Sequence, residues 1–175
     1  MHSYSPCACC APPRLGRRAM FGLAAGLLAA PMLAKAADGT AYDSMLLSCI
    51  DPRLVNPVHS WMEGRGLGGK YSQINIAGAS VGVVAEPFAG WRPAFWDNLA
   101  TSIQLHKIGR LIAVNHRECG AAAIAYGPDS IKTADAETEL HRKIAAQFHT
   151  AVAAKHPALT VEVGLMALDG SIILL

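Results

Sequence analysis

Charge is scarce in this chain, and neither sign dominates. Asp, Glu, Lys and Arg make up 16% of the 175 residues, with 15 basic against 13 acidic. Arg14, Arg17, Arg18 and Lys35 all lie in the first 36 residues, where no acidic residue stands. The rest of the chain therefore carries 11 basic and 13 acidic groups, a net charge of −2. It has no basic stripe and no interleaving of basic and aromatic residues, so nucleic acid is not an expected partner. The apolar run from Phe21 to Leu33 falls short of the roughly 20 residues a membrane span needs. Cysteine thins out along the chain. Cys7, Cys9 and Cys10 crowd the start, and past residue 36 only Cys49 and Cys119 remain. Internal repeats, low-complexity tracts and a second domain are all missing.

What is present begins with a targeting pattern. Arg14, Arg17 and Arg18 form a basic region ahead of the apolar run, and Ala34-Lys35-Ala36 has the small-residue form of a cleavage site. Arg17-Arg18-Ala19-Met20-Phe21 looks like a twin-arginine export signal. An ordinary secretory signal and an uncleaved anchor are the competing readings. The expected organisation is a cleavable signal over residues 1–36 and one domain over 37–175, exported to the periplasm and not stably inserted in the membrane after cleavage. That route carries proteins already folded, which suits a thiol site entering an oxidising compartment. The remaining 139 or so residues are enough for a real core.

Strand and helix patterns alternate along this domain. Met45 to Ser48 reads as a buried strand ending at Cys49, and Leu54 to Glu63 has helical apolar spacing. Gly64 to Gly69 is a glycine loop. It superficially resembles a nucleotide-binding motif but follows a helix rather than a strand, which argues against nucleotide binding. Tyr71 to Ile76 reads as a second strand, Pro93 to Lys107 as a helix with proline in its first turn, and Arg110 to Val114 as a third strand delivering Asn115 and His116. Gly120 to Ala125 and Thr133 to Lys155 read as helices, and Thr160 to Leu168 as a last strand closed by a turn at Asp169-Gly170. This alternation predicts an α/β domain: a mostly parallel β-sheet flanked by helices in three layers. Ligands of such sheets bind beyond the carboxyl ends of the strands, where Cys49 and His116 both fall.

Two short clusters carry the chemistry. One is Cys49-Ile50-Asp51-Pro52-Arg53; the other is His116-Arg117-Glu118-Cys119-Gly120. Zinc favours sulfur and nitrogen donors in a tetrahedron, and three protein ligands with one open position make a catalytic site. Cys49, His116 and Cys119 supply three. Asp51, two residues from Cys49, either completes the shell or accepts a hydrogen bond from zinc-bound water. Arg53 pairs with Asp51 and holds it ionised. The expected nucleophile is a zinc-bound hydroxide, available because zinc lowers the pKa of its water to about 7. Blander readings are a Cys49–Cys119 disulfide, a structural zinc closed by Asp51, and an Asp-Pro-Arg turn with a surface ion pair.

The two clusters together resemble the signature of the β-class carbonic anhydrases, C-x-D-x-R followed by H-x-x-C-G. The resemblance runs from about Met45 to Leu168. It implies zinc ligands Cys49, His116 and Cys119, a catalytic pair Asp51 and Arg53, and reversible hydration of carbon dioxide to bicarbonate. It also implies a homodimer or higher homo-oligomer. Related substrates on the same scaffold are carbonyl sulfide and carbon disulfide, and a non-catalytic zinc- or disulfide-stabilised exported protein is the alternative from another class. The chain departs from the family pattern in places. Ile76-Ala77-Gly78-Ala79 stands where the family has R-N-A-G-N, without its Arg and final Asn. Thr101 stands where an aromatic residue is usual near the substrate. Arg117-Glu118 is unusually charged, the glycine loop and Phe88 to Phe95 read as insertions, and the amino-terminal arm is short. His59, His106, His141, His149 and His156 are candidate proton shuttles, each more simply read as a surface or core-edge histidine.

Overall fold

The computed structural model describes residues 41–175. The twin-arginine pattern, the cleavage site and Cys7, Cys9 and Cys10 lie outside the described residues. The domain is built on five strands, β1 (Ser44–Ser48), β2 (Tyr71–Asn75), β3 (Arg110–His116), β4 (Thr160–Met166) and β5 (Ile172–Leu174), in the order β2-β1-β3-β4-β5. The first four are parallel, and β5 runs antiparallel to β4. Five helices connect them: α1 (Val55–Gly64), α2 (Ser80–Val84), α3 (Arg92–His106), α4 (Gly120–Tyr126) and α5 (Ala134–Lys155). This is the predicted α/β fold with a mostly parallel sheet flanked by helices.

The strands are apolar on both faces because both faces are covered. All five residues of β1 are buried. Alternation sends Leu46 to one face, where it joins Ile112, Val114, Val58 and Met62 of α1, and Ala122 of α4. Met45 and Leu47 point to the other face, against Phe95 and Leu99 of α3 and Phe148 and Val152 of α5. Thr133 caps α5 by accepting the Ala136 N–H at 3.2 Å.

Strand order makes the site. From β1 the chain moves outward to β2, then crosses back over β1 to β3 and on to β4. The carboxyl ends of β1 and β3 are therefore adjacent at the point where the winding changes direction, which is where such sheets open a crevice. Ser48 lies level with Val114, so Cys49 and His116 leave the sheet side by side.

Several boundaries differ from the sequence expectation. β3 continues through His116, because Asn115 and His116 pair with Leu165 and Met166 of β4. β4 stops at Met166, and the turn at Asp169-Gly170 leads into β5, which the sequence reading missed. Residues 86–91 form a 3₁₀ segment after α2; neither was anticipated.

Candidate metal centre

Cys49, His116 and Cys119 converge. One donor atom from each lies within 4.8 Å of the others, and all three residues are buried. The loop after β1 carries Cys49, the last residue of β3 is His116, and Cys119 stands immediately before α4. Zinc bonds of about 2.0–2.3 Å imply tetrahedral donor separations of roughly 3.3–3.8 Å, so the spacing is of the right scale. The tautomer of His116 also fits. Its Nδ1 donates to the Arg117 carbonyl at 2.8 Å, which leaves the Nε2 lone pair free. That Nε2 is buried and has no hydrogen-bond partner among the described residues. A buried imidazole nitrogen left unpaired is costly, and a cation between two thiolates would satisfy it. Both cysteines are free thiols.

The surroundings polarise the pair of thiols unequally. Cys49 is pushed well below an ordinary thiol by the Cys119 thiol beside it, against burial, with help from His116 and the Gly78 N–H. That amide donates to Cys49 Sγ at 3.1 Å. Cys119 moves the other way, because a proton there bonds the Cys49 thiolate and burial opposes a second charge. For His116, burial pulls the pKa down, but the Cys49 thiolate, the Arg117 carbonyl and Asp51 outweigh it and the net shift is upward. Gly78 has φ +79°. A Cβ there would stand 2.8 Å from Val81 Cβ and 3.0 Å from Ala121 Cβ, so only glycine brings this amide onto the sulfur without strain.

Asp51 and Arg53 form a fork. Arg53 donates from Nη2 to Oδ2 at 2.7 Å and from Nε to Oδ1 at 3.0 Å, and its backbone N–H reaches Oδ1 at 2.9 Å. The guanidinium holds the Asp51 carboxyl down at about 2 and is itself held protonated by Asp51. Asp51 Oδ2 is 3.9 Å from His116 Nε2, so the carboxylate faces the donor cluster while its oxygens are engaged by Arg53. The other end of Arg53 reaches Glu118 Oε2 at 3.3 Å, tying the two clusters together.

A cavity of about 390 Å³ opens at this group, lined by Cys49, Asp51, His116 and Cys119 together with the apolar Ala77, Phe88, Trp91 and Ile124. Phe88 and Trp91 stack with ring centroids 4.6 Å apart and planes 4° from parallel. The segment read as an insertion thus builds the aromatic wall of the cavity; the spacing of these rings on one side of a single turn was its signal. Thr101 does not line this cavity. It is exposed on α3 and bonds the Asp97 carbonyl at 2.7 Å.

None of the five candidate shuttle histidines lines the cavity. His59 is exposed, and His106, His149 and His156 are half-buried. The surface or core-edge reading fails for His141, which is fully buried. Burial, and behind it the charges of His116 and Arg117, lower it to about 4, and Asn115 Nδ2 donates to its Nδ1 at 3.2 Å. The sequence reading also missed Glu137, a buried carboxylate that accepts the Glu118 N–H at 2.5 Å.

Residues 41–155 match the family described as "Putative carbonic anhydrase". An uncharacterised protein of Rickettsia conorii is 31% identical over 127 residues, covering 73% of this chain and 68% of its own. Among solved structures, the β-carbonic anhydrase CafA of Aspergillus fumigatus superposes with a TM-score of 0.55 at 14% identity, covering 78% of this chain and 76% of its own. A tetrameric β-carbonic anhydrase of Sordaria macrospora superposes with a TM-score of 0.51 at 13% identity, over 78% and 82% of the two chains. At these identities the structural likeness speaks for the fold.

Proposed function

The chain belongs to the carbonic anhydrase family that it matches, and from that premise we propose that it hydrates carbon dioxide reversibly to bicarbonate at a zinc ion held by Cys49, His116 and Cys119. The observation that carries this reading is His116 Nε2, buried with no hydrogen-bond partner among the described residues, close to two thiols and 3.9 Å from an ionised carboxylate. Zinc held there would supply a water acidified to a pKa near 7, and with it a nucleophile at neutral pH.

The residues divide the remaining work. Cys49 and Cys119 bring negative charge to the ion, and the His116 ring is fixed by its Nδ1 bond. Asp51, ionised at any physiological pH, is an acceptor only. It would accept a hydrogen bond from the attacking water and so orient it. Arg53 holds both Asp51 oxygens by hydrogen bonds and so fixes the carboxylate's orientation. The apolar wall of Ala77, Phe88 and Trp91 suits an uncharged linear substrate. Addition of water to carbon dioxide yields bicarbonate and one proton, which leaves to solvent or buffer.

Stopped-flow hydration with a pH indicator tests the reaction on the zinc-loaded protein. Proton release well above the buffer rate is expected; a buffer-level rate with zinc bound would turn attention to carbonyl sulfide or carbon disulfide. We further propose periplasmic export through the twin-arginine route, on the strength of the Arg17-Arg18 pattern and the cleavage site after Ala36. A homo-oligomer is supported by the tetrameric Sordaria neighbour and is tested by sedimentation.

A further inference from the structure

The two residues between His116 and Cys119 are both charged, and the structure engages them in opposite directions. Arg117 turns toward the first turns of α5. Its Nη1 donates to Glu137 Oε2 at 3.3 Å and to the Ala134 carbonyl at 3.1 Å, and its Nη2 donates to Thr138 Oγ1 at 3.0 Å. Glu118 turns the other way, toward Arg53. The Glu118 backbone N–H, however, faces α5 and donates to Glu137 Oε1 at 2.5 Å. Each oxygen of Glu137 is thus bonded to a different residue of the same turn.

Two features single out Glu137. It is only 3% exposed, and a carboxylate this buried persists where partners compensate the lost hydration. Its partners here both belong to the His116–Cys119 turn. That turn also contains Glu118 at φ +57°, a left-handed conformation few non-glycine residues adopt. The conformation places the Glu118 N–H against Glu137 and brings Cys119 back toward His116. We propose that Glu137 is a positioning residue for the metal centre. It acts through the Glu118 amide and the Arg117 guanidinium to set the spacing of His116 and Cys119, and through that spacing the metal affinity of the site. This rests on the reading that Cys49, His116 and Cys119 hold a metal.

The test is cobalt(II) binding to the full chain, read by chelator competition and by the visible ligand-field bands, which report donor geometry directly. Outer partners of metal ligands typically govern affinity by about 10- to 100-fold. E137A, which removes both bonds, is expected to loosen cobalt about 100-fold and to shift the bands, with unchanged circular dichroism at saturating metal. E137Q keeps an acceptor for the Glu118 amide but sets an NH2 donor against Arg117, losing that bond together with the charge. It is expected to lose about 10-fold, and it decides the matter if E137A does not fold. Wild-type affinity and wild-type bands in E137Q would overturn the proposal, since a residue that merely held α5 in place would leave both unmoved. No cobalt uptake by the wild-type chain would instead sink the metal reading itself, so the two failures are distinguishable.

Discussion

The two halves of the candidate centre are held in different ways. Cys49 is positioned by backbone: it follows a fully buried strand, and the amide of Gly78 meets its sulfur. The His116–Cys119 half is positioned by charge. His116 leaves a buried strand too, but the turn beyond it is fixed by Arg117 on Glu137, by the Glu118 amide on the same carboxylate, and by Glu118 on Arg53. Backbone fixation follows from the fold and tolerates changes in pH and salt. Fixation by ionised side chains can be tuned by single substitutions. The centre thus has one half set by the sheet and one half adjustable from outside it.

The strongest way to break the comparison is to remove a donor from the rigid half. C49S is expected to abolish zinc binding and hydration together, read by metal analysis of the purified protein; full zinc occupancy in that variant would remove Cys49 from the shell. Next comes the link between the halves. D51N should keep its zinc and lose turnover by about 100-fold or more, the scale of a positioned acid–base group. Unchanged kcat would deny Asp51 a part in the chemistry.

A smaller effect is expected from G78A, which attacks the rigid half through its backbone. The positive φ and the contacts with Val81 and Ala121 predict a loss of about 1–3 kcal/mol, measured by urea unfolding; a neutral result would mean that this loop shifts at little cost. The smallest effect concerns acid. The Asp51 carboxyl has an ordinary value of 3.8 and is held at about 2 in the folded chain. Its contribution to stability is therefore complete above about pH 4 and is lost as pH falls through about 2. D51N should flatten that part of the stability profile, followed by urea unfolding across the acid range. Identical slopes in the two proteins would show that the Arg53 fork adds nothing to stability.

Legibility in the sequence followed the same division. The buried strands β1 and β3 are short apolar runs, and each ends at a residue of chemical interest, so the fold class and the convergence of Cys49 with His116 could be read directly. The three residues of β5 lie at a sheet edge, too short a run to register against the turn before them. Phe88 and Trp91 looked like inserted sequence because their neighbours Pro87, Ala89 and Gly90 carry no strand or long-helix periodicity. Glu137 was invisible for a different reason. It sits among the acidic residues of an amphipathic helix's first turns, where a carboxylate is ordinary, and only the packing of α5 against the His116–Cys119 turn gives it a partner. His141 falls on that helix's polar-looking stretch, and its burial against Asn115 is likewise a tertiary fact.

The central claim is that donors from two strand ends hold one metal and leave one position open. X-ray absorption at the zinc edge of the loaded protein tests it most directly. The account predicts a four-atom shell of two sulfurs at about 2.3 Å, one imidazole nitrogen and one light atom from water near 2.0 Å. A shell with fewer than two sulfurs, or one closed by a second imidazole, would contradict it.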